Sequence, residues 1–264
     1  MQALVYGLWV LLLSAAAAVA AEPLAKGIQD NSFLIEEAYN QEAGHVQHIT
    51  NLRRQDGQWQ FSFSQEWPIF SQTHQFSYSV PYNFGGGSRG VGDVTLNYRY
   101  QLQTETATRP AIAPRIALVL PAANQIEASG PLEAREKSYG YELLLPVSKI
   151  VSDRVTLNGN AGLRSFFDVG GHQPTTYRLG GSAIYAVTRD FNLLVEAVAD
   201  WVESVNPQNR LEREFEFTLL PGFRQAFNFA DDAQLVVGAG VPILFSNGSA
   251  DVGAFFYLSF EHKF

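Results

Sequence analysis

Alternation limits what this chain can fold into more than any other property of it. From Ala254 to the last residue, every second position is Ala254, Phe256, Leu258, Phe260, His262 and Phe264. The intervening set is Phe255, Tyr257, Ser259, Glu261 and Lys263, which ends in charge. A period of two over this length predicts a strand with one apolar and one mixed face.

The same pattern recurs upstream, so that twelve strand-like segments follow Gly44. The first, about Val46–Arg54, alternates poorly. In the second, Trp59, Phe61, Phe63 and Trp67 oppose Ser62, Ser64 and Glu66. In the third, Phe76, Tyr78, Val80 and Tyr82 oppose Gln75, Ser77 and Ser79. The fourth is the clearest: Val94, Leu96, Tyr98, Tyr100 and Leu102 against Asp93, Thr95, Asn97, Arg99 and Gln101. The fifth to eleventh fall near Ala113–Leu120, Tyr139–Val147, Val155–Arg164, Tyr177–Val187, Phe191–Trp201, Glu214–Arg224 and Gln234–Leu244. Pro146, Pro221 and Pro242 fall in or near strands, and each is expected at a bulge or a strand end.

One full face of nearly every segment is Leu, Val, Phe or Tyr, and the other carries charges and small polar residues. A secreted β-sandwich could bury the first face in its core, so alternation alone leaves it open. Segments of nine to eleven residues with aromatic ends fit a bilayer better. The expected fold is therefore all-β, a transmembrane antiparallel barrel of about twelve strands. Trp59, Trp67 and Trp201 near strand ends suit an interfacial girdle. The spacing of Phe256, Leu258, Phe260 and the terminal Phe264 resembles the signal read by a bacterial barrel-assembly machinery. That places the protein in the bacterial outer membrane, with lipid and lipopolysaccharide around it.

Residues 1–20 read as a cleaved signal peptide: an apolar run, Leu4–Leu13, then Ala18-Val19-Ala20 as a small-x-small cleavage site. No Lys or Arg precedes the run, and an uncleaved anchor is the competing reading. Residues 21–43 show no alternation. They either hang as a periplasmic leader or tuck into the lumen, and 44–264 form the barrel. If both termini face the periplasm, the odd-numbered connections face outward. The longest connections, Phe84–Gly92, Ala122–Ser138, Ser165–Thr176 and Val202–Arg213, are then all odd, as expected of such barrels.

Composition removes other classes. The absence of Cys excludes disulfides, thiolate metal sites, a Cys nucleophile and a lipidated N-terminal Cys. Net charge is −8 without a basic run, which disfavours nucleic acid. Gly85-Gly86-Gly87-Ser88 lies between strands rather than before a helix, so it is not read as a phosphate loop. His45 and His48 point to opposite faces of one strand, a poor arrangement for a shared metal. No His and Ser pair on one lipid-facing surface as in outer-membrane lipid hydrolases. Neither a catalytic site, a metal nor a cofactor is indicated.

The inner face is where selectivity would reside. It carries Glu66, Asp93, Asn97, Arg99, Arg115, Glu142, Arg164, Arg178, Glu196, Asp200, Glu214, Glu216 and Arg224 as lumen-lining candidates. Opposed charges there either pair across a narrow lumen and fill it or line a wet channel. Facing lipid they would be very costly.

Two stretches, Phe33–Ile49 (FLIEEAYNQEAGHVQHI) and Leu145–Arg154 (LPVSKIVSDR), resemble the outer-membrane transporter family associated with the meta-pathway of phenol degradation. That resemblance implies uptake of a small, hydrophobic or aromatic solute. It brings no established binding residues to map. The reading is an outer-membrane channel for a small solute, with a sealed structural or surface-interaction barrel as the rival.

Overall fold

The computed structural model describes residues 24–28, 30–85, 88–121, 125–126 and 138–264. The signal peptide expected over residues 1–20 and most of the fifth connection lie outside the described residues. Twelve antiparallel strands close into a barrel. They are β1 (His45–Gln55), β2 (Gln58–Ile69), β3 (Ser71–Gly85), and β4 in two runs, Ser88–Val91 and Val94–Tyr100. β5 is Ala111–Ile112 with Arg115–Leu120, β6 Gly140–Ser152, β7 Val155–Phe166, β8 Thr175–Ala186, β9 Phe191–Val205 and β10 Leu211–Asn228. β11 is Gln234–Gly240 with Ile243–Ser246, and β12 is Ser249–Val252 with Ala254–Lys263. β12 pairs back onto β1 from His45↔Lys263 to Arg54↔Ala254, so neither edge is left open.

The wall is apolar outside. Leu118 and Leu179 are each 56% exposed, and Leu193, Phe215 and Phe256 about half exposed on the same side. A continuous outward belt of large hydrophobics is stable only against lipid. Inside, Gln75, Asn97, Arg99, Asn158, Asn160, Glu196 and Arg224 are buried. β1 follows the rule despite its weak pattern: Gln47, Ile49 and Asn51 point inward, while His48 faces out and stacks on Phe63 and His262.

Three expectations need correction. Connections Phe84–Gly92 and Val202–Arg213 are largely paired strand, through Tyr82↔Val91 to Gly85↔Ser88 and Val202↔Glu214 to Val205↔Leu211. Because β9 runs on to Val205, Trp201 sits inside its strand, against Phe215, rather than at its end. Residues 101–110, an even connection, instead form one of the longer excursions, held by Thr106 N–H donating to the Arg109 carbonyl.

The third concerns two of the three prolines, since Pro242 does lie at a break, between Gly240 and Ile243. Pro146 and Pro221 lie mid-strand without a register shift beside them. Their carbonyls accept from Ala113 N–H (3.2 Å) and Val241 N–H (3.0 Å), but a proline returns no N–H, so the interruption falls on the neighbouring strand, in β5 and β11. Pro81 accepts in the same way from Gly92, and Pro242 from Gly253. At Gly253 the wall is so close that a Cβ would stand 2.1 Å from the Arg54 carbonyl oxygen and 3.0 Å from Pro242 Cγ.

Candidate functional site

Residues 30–41 run inside the barrel with almost no regular structure, so their backbone groups need other partners. The wall supplies them. The Glu196 carboxylate accepts from Phe33 N–H (2.8 Å) and Leu34 N–H (2.6 Å). Asn160 accepts from Glu36 N–H and donates to the Glu36 carbonyl, both at 2.8 Å. Ser148 accepts from Ala38 N–H (2.7 Å), Gln101 from Asn40 N–H (3.0 Å) and Gln75 from Gln41 N–H (2.8 Å). Arg99 donates to the carbonyls of Glu37 (3.2 Å) and Tyr39 (2.7 Å), and Arg224 to those of Asp30 (2.9 Å) and Asn31 (2.6 Å).

One apolar anchor completes the seat. Phe33 is buried against Phe255 and Tyr257, with ring centroids 5.0 and 5.5 Å away. Its ring fills a notch left by three glycines: a Cβ at Gly222 or Gly238 would stand 2.6 or 2.8 Å from it, and at Gly240 3.3 Å. The segment enters beside Asp153, whose carbonyl accepts from Ala25 N–H, and leaves at His45, so both its ends lie at the even-connection end. It forms a floor across that half of the lumen.

Above the floor, in the half facing the odd connections, lies a cavity of about 360 Å³. Of the sequence-predicted residues, Glu66, Asp93, Asn97, Arg99, Arg115, Glu142, Arg164 and Arg178 line it. The others are placed differently. Glu196 and Arg224 lie beneath it, bonded to the floor. Asp200 pairs with Arg178 at 2.8 Å and faces Glu216 in register. Glu214 accepts from Ser246 and Asn247 at the rim.

Among the described residues the ion pairs run along the wall and down to the floor rather than across the lumen. Arg164–Glu142 (2.7 Å) and Arg178–Asp200 join facing residues on neighbouring strands. Arg115 binds both Glu142 and Glu36 of the floor, the latter at 3.0 Å, while Arg99 lies 3.8 Å from Glu36. Arg224 lies 3.4 Å from Glu37. Burial pushes the Glu37 carboxyl up to about 7, against the pull of Arg224, and burial likewise raises that of Asp30.

Gln75, Gln101, Ser148 and Asn160 join the site although they are not among the candidates, which apart from Asn97 are all charged. Their signal was their place on the same face as the charges. Among the described residues no group of three or more His, Asp or Glu side chains could hold a metal. His48 and His262 meet on the outer surface, Nε2 to Nε2 at 3.2 Å.

The fold is similar to those of two solved outer-membrane proteins. An outer membrane channel from Pseudomonas putida F1 matches with a TM-score of 0.64 and 12% identity, over 86% of this chain and 98% of that one. The NanC porin matches with a TM-score of 0.51 and 11% identity, over 81% and 98%. No family model matches the chain, and no curated protein matches it. At such identities the likeness speaks to the fold alone.

Proposed function

We propose that the chain is a bacterial outer-membrane channel that admits a small solute into the half-lumen above its floor. The observation that carries this is the polar cavity of about 360 Å³ inside a closed, lipid-compatible barrel. A space of that size takes a molecule of a few rings or fewer, and its Arg and Glu pairs offer a solute both signs of charge. The floor makes the resting channel narrow, and its displacement is the step that admits flow. Two outer-membrane channels of similar fold support the reading.

A hydrophobic or aromatic cargo, which the resemblance to the phenol meta-pathway family implies, is the finer part of the proposal. It rests on the two stretches that carry that resemblance and on an apolar groove in the wall beside Tyr98, Leu143 and Leu163. Insertion would run through the barrel-assembly machinery into a lipopolysaccharide-bearing membrane. The sealed barrel stays as the rival because the floor is so fully bonded. Planar-bilayer recording separates them. The folded protein should pass small, brief currents, and removal of residues 24–41 should enlarge them. Silence from both proteins would refute the channel.

A further inference from the structure

On the outer surface of β4–β7 lies an apolar groove of about 450 Å³. Tyr98, Tyr100, Ile116, Leu143, Leu145 and Leu163 form its sides, and small Ala161 and flat Pro114 deepen it. Its floor is made by residues that point inward, Arg115, Leu144 and Gly162. Arg115 also lines the lumen cavity. The paired strand backbone and one inner layer of side chains therefore separate polar lumen from lipid-facing groove. The layer is thin because Gly162 has no side chain: a Cβ there would stand 2.7 Å from Leu144 Cδ1 and 2.5 Å from the Leu143 carbonyl oxygen.

The backbone is weakened at the same place. Tyr100 N–H donates to the Pro114 carbonyl at 3.0 Å, and Ala113 N–H to the Pro146 carbonyl at 3.2 Å. Each of these facing pairs would exchange two bonds in a regular ladder, and each proline removes the second. β5 thus lacks one bond to β4 and one to β6 at consecutive residues. In a bilayer no water replaces them. The comparable interruption around Pro221 and Pro242 differs in being backed on the inside by the Phe33 ring.

We propose that the wall between β4 and β6 is a lateral exit, through which a hydrophobic solute leaves the lumen for the bilayer. The proposal rests on the channel reading above and names the route and the class of cargo. The Arg115 guanidinium, held by Glu36 and Glu142, marks the lumen side of the exit, and parting of β5 from its neighbours at Pro114 and Pro146 opens it. The groove then receives the apolar part of the solute against Tyr98, Leu143 and Leu163.

A staple across the groove tests this. Ile116 and Leu143 face each other in register with outward side chains. They form the closer, non-hydrogen-bonded kind of pair, about 4.5 Å between Cα atoms, which a disulfide spans. The chain has no Cys of its own, so Ile116→Cys with Leu143→Cys gives one defined bond. Entry of 1-N-phenylnaphthylamine would be followed in cells of a porin-deficient Gram-negative host, and ion current in planar bilayers.

The oxidised staple should slow dye entry at least about tenfold while current persists, and reductant should restore entry. Ala161→Phe, which fills the groove from outside, should slow the dye without any disulfide. Unchanged dye entry through the oxidised staple and through Ala161→Phe would overturn the exit. So would unmodified protein that conducts ions but adds no dye entry over cells lacking it, and the channel reading would then stand. Loss of both fluxes in the unmodified protein would sink exit and channel together.

Discussion

Replacing Phe33 by Ala tests how the floor is held. The ring is 8% exposed, lies against Phe255 and Tyr257, and fills a notch that Gly222, Gly238 and Gly240 leave for it. Glycines cannot collapse onto an emptied site, so the loss should sit at the full cavity cost of about 3–5 kcal/mol for Phe→Ala. At about 1.4 kcal/mol per power of ten, the fraction of molecules with an open floor rises by roughly two to three and a half powers of ten. Backbone hydrogen exchange reads this residue by residue. Amides of residues 33–41 should exchange faster by that factor, while those of β9 and β10 should not change. In bilayers the same variant should show longer and larger openings. The reasoning fails if the floor amides keep their protection, for then the bonds from Glu196, Arg99 and Arg224 hold the segment without the ring.

Other expectations follow from the same geometry. Glu37 is held near 7 inside and titrates near 4.5 in the open, so between these values the seated floor keeps a proton that the released floor gives up. Seating should be tightest below about 4.5 and weaken as pH rises towards 7. Exchange of the floor amides, corrected for intrinsic rate, should follow that course in the wild type and become shallower in Glu37→Gln, with Asp30 left to supply a slope of the same sign. A course in the opposite direction would contradict the assignment. Deleting Phe264, whose N–H donates to the Gly44 carbonyl at 3.0 Å, should lower the amount of folded barrel in cells more than the current per inserted molecule. Heat-modifiable gel migration and single-channel recording measure the two separately, and normal assembly of the truncated protein would refute the role given to Phe264.

The barrel was legible because alternation is a direct record of which side faces lipid. Phe215 and Phe217 against Glu214 and Glu216, or Leu193 and Val195 against Asn192 and Glu196, admit one orientation only. β1 was obscure because its outward face carries His48, Thr50 and Arg54 instead of a run of hydrophobics. The hairpins at Phe84–Gly92 and Val202–Arg213 read as loops because strands that project past the bilayer need no apolar face there. The course of residues 30–41 left no periodic trace, because a segment held by side chains has no repeating geometry to impose on its sequence. Its seat did leave a mark in Gly238 and Gly240 on the inward face of β11, beside an otherwise unexplained Phe33.

Alternation has one blind spot, and Gly253 covers it. A strand displaced by one residue turns its apolar face inward and is rejected at once, but a displacement by two keeps every face correct. β12 joins both β11 and β1, so such a slip would close the barrel wrongly with its outward belt intact. At Gly253 the two neighbours leave no space for a Cβ, with the Arg54 carbonyl on one side and the Pro242 ring on the other. Two residues along in either direction stand Asp251 and Phe255, and neither fits that gap. The one missing side chain thus works as a keyway, allowing the last seam of the barrel to shut in a single register.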